Sequence, residues 1–179
     1  MTERQGELLL LVPTTSYRLD DFRAAARRLG VPLVVGSDLC HKVEELFLER
    51  EDHVSLDYRR PERAAEQIAE LAKARPIRGI VPASDPTAVI AALAAEKLGL
   101  PRNPPEAARR AANKHAMRAA LRAAGVPVPD FRLFDLAGDA ERAAAEVPYP
   151  CVLKPLIFSA SRGVIRADDF RQALEPRKE

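Results

Sequence analysis

The chain has 179 residues, 47% hydrophobic and 30% charged, which is enough for a buried core and gives room for one large domain or two small ones. Lys and Arg number 28 against 26 Asp and Glu, and the formal charge of +2 removes the electrostatic case for a nucleic-acid binder or a polybasic membrane module. The apolar run at residues 8–12 falls far short of the roughly 20 residues that span a bilayer, and no basic segment leads into an apolar stretch at the start, so a cytoplasmic protein is expected.

The first hundred residues alternate strand and helix patterns. Residues 8–12 read as a strand buried on both faces, ended by Pro13 and a Thr14-Thr15-Ser16 turn. A helix over residues 19–29 places Phe22, Ala25, Ala26 and Leu29 on one face, with Gly30 as its stop. Residues 31–35 read as a second strand, 43–48 as a short helix and 53–56 as a third strand. Pro61 opens a helix to Ala74 whose inward face is Ala64, Ile68, Leu71 and Ala72. A strand over 77–81 precedes Asp85-Pro86, read as an N-cap acid with Pro at the first helical position, and that helix runs to Gly99. The expectation is α/β: a small doubly wound parallel sheet with helices on both faces.

Three prolines in residues 100–105 break the rhythm and divide the chain into an α/β domain at 1–103 and a second, α+β segment at 104–179. Helices are expected over 106–112, 113–124 and 139–146. Strands are expected over 131–134, 151–154 and 163–166, with a last helix starting at Asp168.

Several chemistries are set aside by spacing. Cys40 and Cys151 stand 111 positions apart, with neither disulfide-framework nor zinc spacing, and His41, His53 and His115 have no companion ligands in sequence. The first strand–helix turn contains no glycine, so it lacks the phosphate turn of a dinucleotide-binding fold. With 22 Arg against 6 Lys, each surviving lysine is more informative than usual. Lys154 ends an apolar strand, where its charge must reach water or a partner. The small-residue turn that follows, Ser159-Ala160-Ser161-Arg162-Gly163, can present backbone N–H groups and a guanidinium to phosphate. An edge strand with a snorkelling lysine and an ordinary hairpin explains the same residues.

The combination upstream favours the phosphate reading. Asn113-Lys114, Met117-Arg118, Leu121 and the run Ala124-Gly125-Val126-Pro127-Val128-Pro129 precede Tyr149-Pro150-Cys151-Val152-Leu153-Lys154-Pro155, and Gly163-Val164 follows. In order and spacing this resembles the ATP-grasp superfamily over about residues 99–170, and the preceding α/β unit resembles that family's pre-ATP-grasp domain. The resemblance implies that Lys114 and Lys154 contact ATP phosphates and that Ser159, Ala160, Ser161, Arg162 and Gly163 form the loop over them. Ile157-Phe158 and the single loop glycine depart from the family's usual small, Gly-rich residues.

The implied activity is that of an ATP-dependent ligase that activates a small carboxylate as an acyl phosphate for attack by an amine or similar nucleophile. The family's Mg²⁺ ligands are expected outside this chain, and no metal ligand is assigned within it. On this reading the chain is a truncated portion, inactive alone, with apolar surface left uncovered. The alternative is a stand-alone nucleotide-binding or partner-completing module without catalysis. Thr15, Ser16 and Asp85, at the carboxyl ends of two strands, are the candidate substrate residues, with helix capping as the competing role for Asp85. Asp168 and Asp169 read as helix caps. Many relatives dimerise, so a homodimer is open; neither a nucleic acid nor a membrane is expected as a partner.

Overall fold

A computed structural model describes residues 6–14, 16, 18–38, 52–135, 137–158 and 161–174. The expected helix at 43–48 lies outside these residues, as do Thr15, Ser159 and Ala160. The chain divides into two compact units, Met1–Arg109 and Arg110–Glu179.

In the first unit β1 (Glu7–Leu11), β2 (Leu33–Ser37), β3 (His53–Ser55) and β4 (Ile77–Pro82) form a parallel sheet in the order β3-β2-β1-β4. The continuous apolar run is central because both faces of β1 are covered. Leu9 and Leu11 join a core with Ala64, Ala65 and Ile68 of α2 (Pro61–Ala74) and Ile90, Ala91 and Ala94 of α3 (Asp85–Lys97). Leu10 and Val12 point the other way, to Val35 and to Leu19 and Phe22 of α1 (Leu19–Leu29). Leu9, Leu10 and Leu11 are 0–1% exposed, and burying each side chain contributes about 1.5–3 kcal/mol.

Local differences from the sequence reading have physical causes. Strand β2 begins at Leu33, not at residue 31, because the Val31 amide donates back to the Ala26 carbonyl and completes the exit of α1 around Gly30, whose φ is 63°. Leu29, expected on the inward face, is 76% exposed. The N-cap of α3 is Ser84 rather than Asp85: the Ser84 amide donates to Thr87 Oγ1 at 3.2 Å, and Thr87 Oγ1 donates to the Ser84 carbonyl at 2.8 Å. Asp85 and Pro86 are the first two helical residues.

The second unit is α+β. Helix α4 (Pro105–Ala112) runs across the unit boundary into α5 (Lys114–Ala123). Then come α6 (Ala140–Ala145), an antiparallel pair β5 (Cys151–Leu153) and β6 (Ile165–Ala167), and α7 (Phe170–Leu174). The strand expected at 131–134 does not form, because β5 and β6 are the two strands of this sheet and pair with each other. Phe131 instead packs edge-on against His115, centroids 5.5 Å apart, beneath the Arg122 guanidinium at 4.3 Å.

Candidate functional site

Within the second unit, α5 is built so that its first turn lies on the exit of β5. Asn113 is extended and its Oδ1 accepts from the His115 and Ala116 amides, each at 3.0 Å. The Lys114 amide then donates to the Leu156 carbonyl at 3.0 Å, two residues past Lys154, and Lys114 Nζ donates to the Phe158 carbonyl. Two lysines 40 positions apart in sequence are thereby tied to one short segment. Lys114 is half-buried; Lys154 follows the last residue of β5 and is exposed.

The turn between β5 and β6 is shaped by backbone and side chain together. Ser161 (φ 58°) and Gly163 (φ 65°) both adopt the left-handed conformation, and the Val164 amide closes the turn on the Ser161 carbonyl at 3.2 Å. This is why β6 starts at Ile165 and Gly163-Val164 stays in the turn. A Cβ on residue 163 would stand 2.8 Å from Pro155 Cγ, so the glycine permits the loop to close on the strand exit. The Arg162 guanidinium lies over the Phe158 ring, 5.5 Å from its centroid. Sequence reasoning noted Phe158 as a departure from small residues but missed it as the partner of both Arg162 and Lys114.

Lys154, Arg162 and the left-handed turn belong to the segment that Lys114 bonds, and ammonium, guanidinium and backbone N–H donors are the chemistry that holds phosphate. No group of three His, Cys, Asp or Glu side chains that could hold a metal ion occurs among the described residues. Asp169 Oδ1 accepts from the Gln172 amide at 2.9 Å, and the Asp168 amide donates to Gln172 Oε1 at 3.0 Å, so this acid pair organises the start of α7. Asp168 Oδ1 also accepts from Arg166 Nε at 2.8 Å.

In the first unit the chain reverses its strand order between β1 and β4, and the loops after these two strands stand at the carboxyl edge where open α/β sheets bind ligands. Thr14 donates its amide to Asp38 Oδ1 at 2.8 Å, and the Ser16 amide closes on the Pro13 carbonyl at 2.9 Å. The Ala83 amide bonds the Leu11 carbonyl at 2.9 Å, and Asp85 is exposed beyond it. Ser16, in the loop after β1, and Asp85, the first residue of α3, therefore flank one reversal; Thr15 lies outside the described residues.

Residues 22–102 match the model of the ATP-grasp N-terminal domain. An uncharacterized protein, y4rH, of Sinorhizobium fredii is 29% identical over 97% of this chain and 36% of its own length. Carnosine synthase 1 of Mus musculus is 34% identical over 95% of the chain and 22% of its own length. Among solved structures, an L-amino acid ligase from Bacillus licheniformis superposes with a TM-score of 0.70 at 24% identity, over 95% of this chain and 41% of that one. A carboxyaminoimidazole ribonucleotide synthase from Aspergillus clavatus, complexed with ATP, gives 0.66 at 16% identity, over 94% and 43%. The chain spans about a third or less of the length of these curated relatives. The resemblance read from residues 113–164 therefore agrees with the ATP-grasp N-terminal domain matched by residues 22–102 and with the fold shared by these ligase and synthase structures.

Proposed function

We propose that this chain supplies the ATP-binding portion of a ligase that activates a small carboxylate as an acyl phosphate for attack by an amine. The observation that carries this reading is the attachment of Lys114 to the segment following Lys154, which gathers cationic groups from α5 and from the exit of β5. In this reading ATP supplies the phosphoryl group: a carboxylate oxygen bonds to the γ-phosphorus as the bond to ADP breaks. The amine then bonds to the acyl carbon and inorganic phosphate leaves. Lys114 and Lys154 offset phosphate charge, Ser161 to Gly163 lie over the phosphates, and Ser16 and Asp85 flank the carboxylate surface. Fixed cations aimed at developing phosphoryl charge are the main requirement for such a transfer.

The ATP complex of a protein sharing the fold supports the nucleotide, and the ligase names of the relatives support the reaction class. We further propose that this chain alone binds the nucleotide without turning it over, since it spans only part of its relatives' length. Titration calorimetry with ATP tests the binding. Lys114→Ala and Lys154→Ala should each weaken affinity by about tenfold or more, the worth of one charge-assisted hydrogen bond. Unchanged affinity in both variants would remove the site, and carboxylate-dependent ADP release by the chain alone would overturn its proposed incapacity.

A further inference from the structure

Every amide of the first turn of α5 already has an acceptor. The Asn113 amide donates to the Arg110 carbonyl at 3.2 Å, that of Lys114 to the Leu156 carbonyl at 3.0 Å, and those of His115 and Ala116 to Asn113 Oδ1. The Met117 amide donates to the Asn113 carbonyl at 2.9 Å and begins the regular helix ladder. A helix start normally leaves such donors for water, a cap or an anion. Here the cap takes two of them and the exit of β5 takes a third, so α5 has no amide left for phosphate, and its contribution must come through the Lys114 side chain.

A side chain acting alone depends on how its backbone is held. Lys114 is the first residue of α5, and its amide reaches Leu156 only while the preceding residue is extended; Asn113 has φ −111° and ψ 115°. The cap by Asn113 Oδ1 holds that geometry, because releasing it frees the first turn to fray. We propose that Asn113 is a positioning residue for nucleotide binding: it fixes the first turn of α5 on the exit of β5, so that the Lys114 ammonium is presented beside Lys154. The inference rests on the proposed ATP site and adds a residue with no charge and no contact of its own to the phosphates.

The test uses the full chain, with ATP and adenosine as separate probes in calorimetry, and amide hydrogen exchange without nucleotide. Asn113→Ala should weaken ATP binding about fivefold, the effect of losing one N-cap converted to affinity, and leave adenosine binding unchanged. Asn113→Ser, which keeps a capping oxygen, should restore ATP affinity to within about twofold. The His115 and Ala116 amides should exchange faster in Asn113→Ala alone. Equal losses for ATP and adenosine, failure of Asn113→Ser to restore binding, or unchanged exchange at His115 and Ala116 would each overturn the positioning role. If Lys114→Ala and Lys154→Ala both bind ATP as the parent does, the ATP reading fails first; if either of them loses affinity and Asn113→Ala does not, the positioning inference alone fails.

Discussion

Lys114 and Lys154 carry the same charge but are held by different means. Lys114 is anchored at its amide and its Nζ, whereas Lys154 is an exposed side chain at the end of a three-residue strand. Their identity as a pair was legible in sequence through lysine scarcity and the surrounding motif. Their shared anchoring was not, because a main-chain bond across 42 positions, Lys114 to Leu156, leaves no mark in residue type. Gly163 belongs to the same scale. Its left-handed φ and the nearness of Pro155 make Gly163→Ala cost about 1–2 kcal/mol in the local closure of the turn. Chemical denaturation combined with amide exchange at Val164 should register that loss. In the first unit the Tyr58 hydroxyl donates to the Gly36 carbonyl at 2.6 Å, and burial, with nearby Asp38, pushes its ionisation well above the ordinary 10. Tyr58 therefore remains a donor across neutral pH, and Tyr58→Phe should lower unfolding free energy by about 1 kcal/mol in urea titration.

At the scale of elements, strong periodicity and turn chemistry were reliable guides. The apolar run became β1, and Pro61 and Ala74 bound α2 as read. The start of α3 was read one residue late: Ser84 and Asp85 are both good N-cap residues, and only the mutual bonding of Ser84 and Thr87 separates them. The Ser84 hydroxyl itself lies 3.2 Å from Thr87 Oγ1, so Ser84→Ala should cost about 1 kcal/mol by thermal or chemical unfolding, while Asp85→Ala should cost less. Leu29 shows the limit of a helical pattern. It falls on the apolar stripe of α1 but in the last turn, beyond the sheet surface that Leu19 and Phe22 cover. Leu29→Gln should leave stability within about 0.5 kcal/mol, against several for a core leucine. The expected strand at 131–134 failed for another reason: an apolar, aromatic-rich segment favours an extended backbone, but a strand also needs a neighbour to bond.

At the scale of the whole molecule, the two units are unequally cored. Both buried clusters lie in the first unit, whereas among the described residues of the second only Ala144 and Ala167 are buried. Ile157 is 70% and Phe158 50% exposed, and Val152, Leu156, Val164 and Phe170 are also exposed. Hydrogen exchange should then show β1, β2 and β4 as the slowest segments, with β5, β6 and α7 exchanging far earlier. Equal protection in the two units would contradict that ranking. The first unit also carries a pH-dependent tie. The Arg75 guanidinium bonds both Glu7 oxygens, at 2.6 and 2.7 Å, and holds the Glu7 carboxyl below its ordinary 4.5. Because the folded state lowers this value, the stabilisation is complete above about pH 5 and is lost as pH falls through the lowered value. Urea unfolding at pH 7 and pH 3 should show a smaller acid loss in Glu7→Gln than in the parent.

The sequence by itself determined the parallel α/β unit, the helix termini marked by Pro and Gly, and the two lysines in their motif. These follow from hydrophobic period, fixed backbone torsions and residue identity, which are properties of neighbouring positions. Only the tertiary structure decided that Ser84 caps α3, that Leu29 lies outside the core, that 131–134 finds no strand partner, and that the start of α5 is tied to the exit of β5. Each depends on which distant backbone group is within hydrogen-bond or packing reach, and that is set by the folded path of the chain.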